Sequence, residues 1–136
     1  MRMTQARGIV AVLGVTLPYL VRLPGGLEWL GQYTRLGPGA WLWLTALHAV
    51  SWGSILLVSL AYQRPASLLA PCLSGFGFLA WAHASLDLHS DAQAAIALFL
   101  IPLVSLLPIA IGALIGYAVD RLLRRSTAPP PGSRRG

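Results

Sequence analysis

Three histidines and four acidic residues are all the imidazole and carboxylate in this 136-residue chain. Two of those histidines and two of those acids fall within one short stretch, "HASLDLHSD", residues 83–91. The remaining histidine, His48, lies inside an apolar run. If the stretch does chemistry, cation binding is the chemistry its residue types suit. His83 and Asp87 are four apart and so share one helix face. With His89 and His48 they form a candidate ligand set, since imidazole and carboxylate together suit Zn, Fe, Ni or Mn. His48 and His83 are expected in the same half of the membrane, where they would also serve as a pair of axial haem ligands.

A second reading needs no ligand. "SDAQ" at 90–93 fits a capping box, in which Ser90 caps the free N–H groups and Gln93 reaches back. Asp91 then sits in the first turn, where the helix dipole favours negative charge. Asp87 and His89 become wet loop residues, and Asp87 is placed to pair with Arg22 or Arg35. The spacing H-x3-D-x-H matches no metal motif, so the capped turn is the favoured reading, with no resident cofactor expected. The chain also lacks an HExxH helix, a P-loop and Rossmann glycines. Catalysis is therefore not expected.

The elements that must position these residues are apolar. The chain is 56% hydrophobic and 10% charged, against about 25% charged in a soluble domain, and its mean hydropathy is +0.67. Charges collect at the ends and in two short breaks, the pattern of a multi-pass membrane protein. The expected fold is all-α: an integral membrane bundle of four transmembrane helices over residues 8–23, 40–62, 66–86 and 92–119. A short interfacial helix is possible over 26–36, between Gly/Pro brackets. Residues 1–125 form one domain, and 126–136 read as a disordered, basic, Pro-rich tail.

The net charge is +6. It does not point to nucleic acid, because the arginines flank apolar runs, where they set membrane orientation. With an even number of spans, Arg2, Arg7, Arg64, Arg121, Arg124, Arg125, Arg134 and Arg135 share one side, and Arg22 and Arg35 take the other. Both termini are thus expected in the cytoplasm. Trp29, Tyr33, Trp41, Trp43 and Trp81 fall near the outer interface, in agreement. A composition rich in Ala, Leu, Gly, Pro and Arg with no Lys suggests a GC-rich bacterial genome, hence an inner membrane. Cys72 is the lone cysteine, which rules out an intramolecular disulfide or a CxxC redox pair.

Two helix faces carry information. On the second span, Thr45, His48, Ser51 and Ser59 make a polar stripe, which must face protein or a cavity. On the fourth, Ser105, Gly112 and Gly116 belong to a stripe of small residues, and "GALIG" at 112–116 is a GxxxG motif. That stripe marks a helix interface, with a neighbour in the same bundle or with a second chain. Three functions follow as expectations. The first is a non-catalytic membrane protein working through helix contacts, as an accessory or scaffold subunit or a homodimer, its partners being the bilayer and itself or another membrane protein. The second is a small-solute or ion transporter formed by a dimer. The third is a metal- or haem-binding protein.

Overall fold

The computed structural model describes residues 2–35, 37–89 and 93–126. The chain forms α1 (Met3–Leu20), a 3-10 turn (Leu23–Gly25), α2 (Gly26–Thr34) and α3 (Gly37–Val58), which tightens into a 3-10 turn at Ser59–Ala61. A further 3-10 turn (Pro65–Leu68) leads into α4 (Leu69–Ser85), and α5 (Ala94–Ser126) closes the order. There is no strand among the described residues. Four stretches are long and apolar enough to cross a membrane: Met3–Thr34, Gly37–Ala61, Pro65–Ser85 and Ile96–Ser126.

The helix ends differ from the sequence expectation in instructive ways. α1 starts at Met3 and not at residue 8, because polar residues before an apolar run carry no helix-breaking chemistry. It keeps Pro18 in its last turns. α2 exists as a helix and buries Gly31, Gln32 and Tyr33 against the bundle. α5 runs past 119 to Ser126, since arginine and leucine are good helix formers. At about 1.5 Å per residue, its 33 residues exceed a hydrocarbon core of about 30 Å. Of the tail expected over 126–136, Ser126 ends α5, while residues 127–136 and the Ser90–Asp91 half of the expected capping box lie outside the described residues. Of that box only Gln93 is described, and its carbonyl accepts from the N–H groups of Ile96 and Ala97.

α4 and α5 form the closest pair, and α3 and α1 pack on the same core. Small residues make the α4–α5 approach possible. A Cβ at Gly112 would fall 2.7 Å from both the Ala70 carbonyl oxygen and the Pro71 Cα. One at Gly116 would meet the Ser67 carbonyl and lie 2.8 Å from the Tyr62 hydroxyl. The GxxxG face of α5 is therefore covered by α4 and the turn before it, in the same chain. Ile55, Phe76, Leu79, Ile101 and Ile109 fill the centre of the bundle. Large apolar side chains such as Leu107, Leu114, Leu57 and Leu73 point outward.

Candidate functional site

Along α3 and its terminal turn, Leu44, His48, Ser51, Ile55 and Ser59 are buried. Steps of three and four residues put them on one face of the helix. The polar stripe of the sequence thus points inward, with Thr45 at its edge half-buried. Its members bond to protein at separate levels. Ser51 Oγ accepts from Ser105 Oγ at 2.7 Å, and both hydroxyls turn toward the Pro102 carbonyl. Ser59 Oγ accepts from Arg7 Nε at 2.8 Å. Ile55, fully buried, separates these two groups.

His48 opens the polar stripe at its other end. Its Nδ1 lies 2.7 Å from the Leu44 carbonyl oxygen, and its Nε2 lies 2.7 Å from His83 Nε2 on α4. The other nitrogen of His83, Nδ1, lies 2.8 Å from the Tyr33 hydroxyl on α2. The surroundings fix the hydrogens. A carbonyl only accepts, so His48 Nδ1 carries the proton and neutral His48 offers a lone pair at Nε2. His83 Nε2–H donates to it, and Tyr33 O–H donates to His83 Nδ1. The result is one directional chain across three helices, from Tyr33 through His83 and His48 to Leu44. His48, His83 and Tyr33 are almost completely shielded from solvent.

Arg22 holds this chain in place. It has no exposed surface, and every arm of its guanidinium is engaged. Nε donates to the Trp29 carbonyl at 3.0 Å, and Nη1 donates to the His83 carbonyl at 2.9 Å. Nη2 donates to Gln32 Oε1 at 2.6 Å and to the Leu86 carbonyl at 3.0 Å. The guanidinium carbon stands 4.0 Å from the centre of the Tyr33 ring and 4.8 Å from that of Trp29, a cation–π arrangement on two faces. In the sequence Arg22 reads as an orientation charge and Tyr33 as an interface aromatic, and nothing there singles out Gln32. The spacing of Arg22, Gln32 and Tyr33 across a Gly-bracketed short helix was the available signal.

Gln32 links this core to the rim. Its amide nitrogen donates to Asp87 Oδ1 at 2.8 Å and faces His89 Nδ1 at 3.3 Å. Its oxygen accepts from Arg22 and from the Leu88 N–H. The expected Arg22–Asp87 partnership therefore runs through an amide. The His89 N–H and then the Gln32 amide, both donating to Asp87, hold its carboxyl below the ordinary carboxylate range.

The four candidate ligands are thus split into two pairs, His48 with His83 and Asp87 with His89. Among the described residues, no three His, Cys, Asp or Glu side chains stand together as a metal cluster. Two Zn–N bonds of tetrahedral geometry would separate the nitrogens by about 3.3 Å. The 2.7 Å between the two Nε2 atoms suits a shared proton. An iron between axial imidazoles keeps them on opposite sides of the macrocycle, which a direct contact does not allow.

A second buried polar knot lies toward the far end of α5. Asp120 Oδ1 accepts from the Gln63 and Arg64 N–H groups and from Ser67 Oγ at 3.0 Å, and Oδ2 pairs with Arg124 at 2.8 Å. It fastens the α3–α4 turn to α5. In the sequence the expected fourth span stops at 119, just short of Asp120, whereas α5 continues to Ser126. Tyr62 is buried and donates to the Ala113 carbonyl at 2.8 Å.

Comparison with family models, with curated proteins and with solved structures finds no match for this chain.

Proposed function

We propose that this chain is a small inner-membrane protein that works through contacts made within the bilayer, as a scaffold or accessory subunit or as a homodimer, and not through catalysis. One observation carries the reading. The buried histidines, Tyr33, Arg22, Ser51 and Ser105 are bonded to partners of their own chain, so the polar interior is occupied in holding helices together. What the bundle offers outward is apolar, including Leu103, Leu107 and Leu114 on α5. The GxxxG face is already used against α4, so a partner would meet α5 on its outward side. The arginine distribution supports both termini being cytoplasmic, with the Arg22–His83 end outward.

The test is self-association in the native membrane. With Cys72 changed to Ala, single cysteines at Leu107 and Leu114 report contacts on the outward face, and one at Leu57 on α3 serves as comparison. A crosslinked homodimer specific to the α5 positions supports the homodimer form. A discrete heterologous adduct at the same positions supports an accessory subunit. Equal, sparse labelling at all three positions counts against a contact function.

The transport alternative keeps one supporting feature, the inward-facing His48–Ser51–Ser59 stripe. Against it, Ile55 interrupts that stripe, and the hydroxyls above and below are bonded to protein. Solute flux in proteoliposomes lost on Ile55→Trp would favour a path. Flux indifferent to that change would remove it.

A further inference from the structure

We propose that the Tyr33–His83–His48 chain is an acid-operated latch, which ties α2 to α4 and α4 to α3 when the imidazoles are neutral and frees α2 when they are protonated. The argument is hydrogen-bond bookkeeping in a closed space. In the neutral chain every donor meets an acceptor: Tyr33 O–H to His83 Nδ1, His83 Nε2–H to His48 Nε2, His48 Nδ1–H to the Leu44 carbonyl. The chain ends on a carbonyl, which has no proton to pass on. It is thus a dead end and not a conduit, and an added proton stays in it.

One added proton turns His83 Nδ1 into a donor facing the Tyr33 oxygen, so the phenol hydrogen loses its acceptor. A second sets two N–H groups head-on across a 2.7 Å contact. Either step places new positive charge beside Arg22, which donates to the His83 backbone and stacks on the Tyr33 ring. The first step loosens the Tyr33–His83 contact that joins α2 to α4, and the second loosens the His83–His48 contact that joins α4 to α3. Histidine is the side chain whose ordinary titration range, near about pH 6.5, meets such a change under physiological conditions.

The groups facing the pair come from every element around it. Tyr19 of α1 meets Tyr33 in a T-shaped contact with ring centroids 6.4 Å apart. Arg22 comes from the α1–α2 connection. α2 supplies Tyr33 and the neutral Gln32, with Glu28 exposed on the same helix and Arg35 exposed just beyond its end. α3 supplies His48 and α4 supplies His83. The segment after α4 supplies Asp87 and His89, bonded to Gln32. α5 has no titratable side chain from Ala94 to Ala113. Asp87, held below the ordinary carboxylate range, remains charged at about pH 5. The imidazoles of His48, His83 and His89 are then told apart by variants.

Spin labels at Leu27 on α2 and Trp81 on α4, both exposed, with Cys72→Ala and the protein in nanodiscs, report the latch from about pH 8 to about pH 5. The expected result is a short distance at high pH, with the longer-distance share rising reversibly from about one-tenth to a majority in acid. His89→Gln retains the response, and His83→Gln abolishes it. Because His83→Gln can fail to fold, 15N-histidine spectra of the otherwise wild-type chain give a second reading. The two buried imidazoles change protonation over the same pH range as the distance. A distance that does not respond to acid overturns the proposal. So does a response that survives His83→Gln or disappears in His89→Gln, or one that occurs while both buried imidazoles stay neutral.

Discussion

A guanidinium with no exposed surface must give its N–H groups to protein, and Arg22 gives them to three carbonyls and one amide oxygen. Hydrogen bonds to a charged group contribute about 1.5–3 kcal/mol each, and an acceptor left bare in a buried site costs about 1–3 kcal/mol. Arg22→Met should therefore lower stability by about 3 kcal/mol or more, read as a fall in denaturation midpoint in detergent. Arg22→Lys should rescue little, because an ammonium is a point donor and cannot span the fork between the Trp29, His83 and Leu86 carbonyls. A lysine variant as stable as the parent would show that charge and not geometry matters at this position. Little of this was legible in the chain itself. Arg22 beside "LPGG" looks like any flanking arginine, and nothing local says that the connection folds inward. His48 was legible, because a histidine inside an apolar run must find a partner. Which partner depended on where α4 lies.

α5 is built to lie close to α4. The positions that matter are Gly112 and Gly116, where an added Cβ strikes α4 backbone or the turn before it. Overpacking of this kind typically costs about 1–3 kcal/mol. Gly112→Ala should fall in that range, whereas Gly77→Ala, whose Cβ meets nothing within 4 Å, should change stability by no more than about 0.5 kcal/mol. Equal midpoints for the two variants would show that α4 and α5 are not packed as described. The contrast also decides how association is probed. Bulky changes at Gly112 damage the fold before they report on a dimer, so the outward positions Leu107 and Leu114 are the informative ones. The GxxxG spacing was visible in the sequence, but its two possible partners differ only in three dimensions.

The bundle as a whole carries its polar knots near its two ends, the Arg22–His83 group at one and the Asp120–Arg124 group at the other, with Ile55, Ile101 and Ile109 between them. Eight of the arginines fall on the terminal side of a four-span arrangement and two on the other, as counted from the chain. Positive charge resists translocation. A fluorescent protein fused after Ser126 is therefore expected to mature in the cytoplasm, and a cysteine at Leu88 to react with an impermeant thiol reagent from outside, in the Cys72→Ala background. Labelling of Leu88 only after the membrane is opened would invert the topology. Inversion would leave the latch chemistry intact and change which compartment's acidity reaches it first.

The linear chain determined the helical class, the number of apolar stretches and which face of α3 turns inward, because these depend on composition and on a 3.6-residue period that each segment carries by itself. It also marked His48 and the small-residue face of α5 as places where something must be met. Tertiary structure alone decided what is met there. His48 finds His83, thirty-five residues away in sequence; Arg22 folds under α2 instead of reaching out; Gly112 rests on Ala70 and Pro71. Hydrogen bonds between side chains on different helices depend on how those helices are placed, and no local pattern of residues encodes that placement.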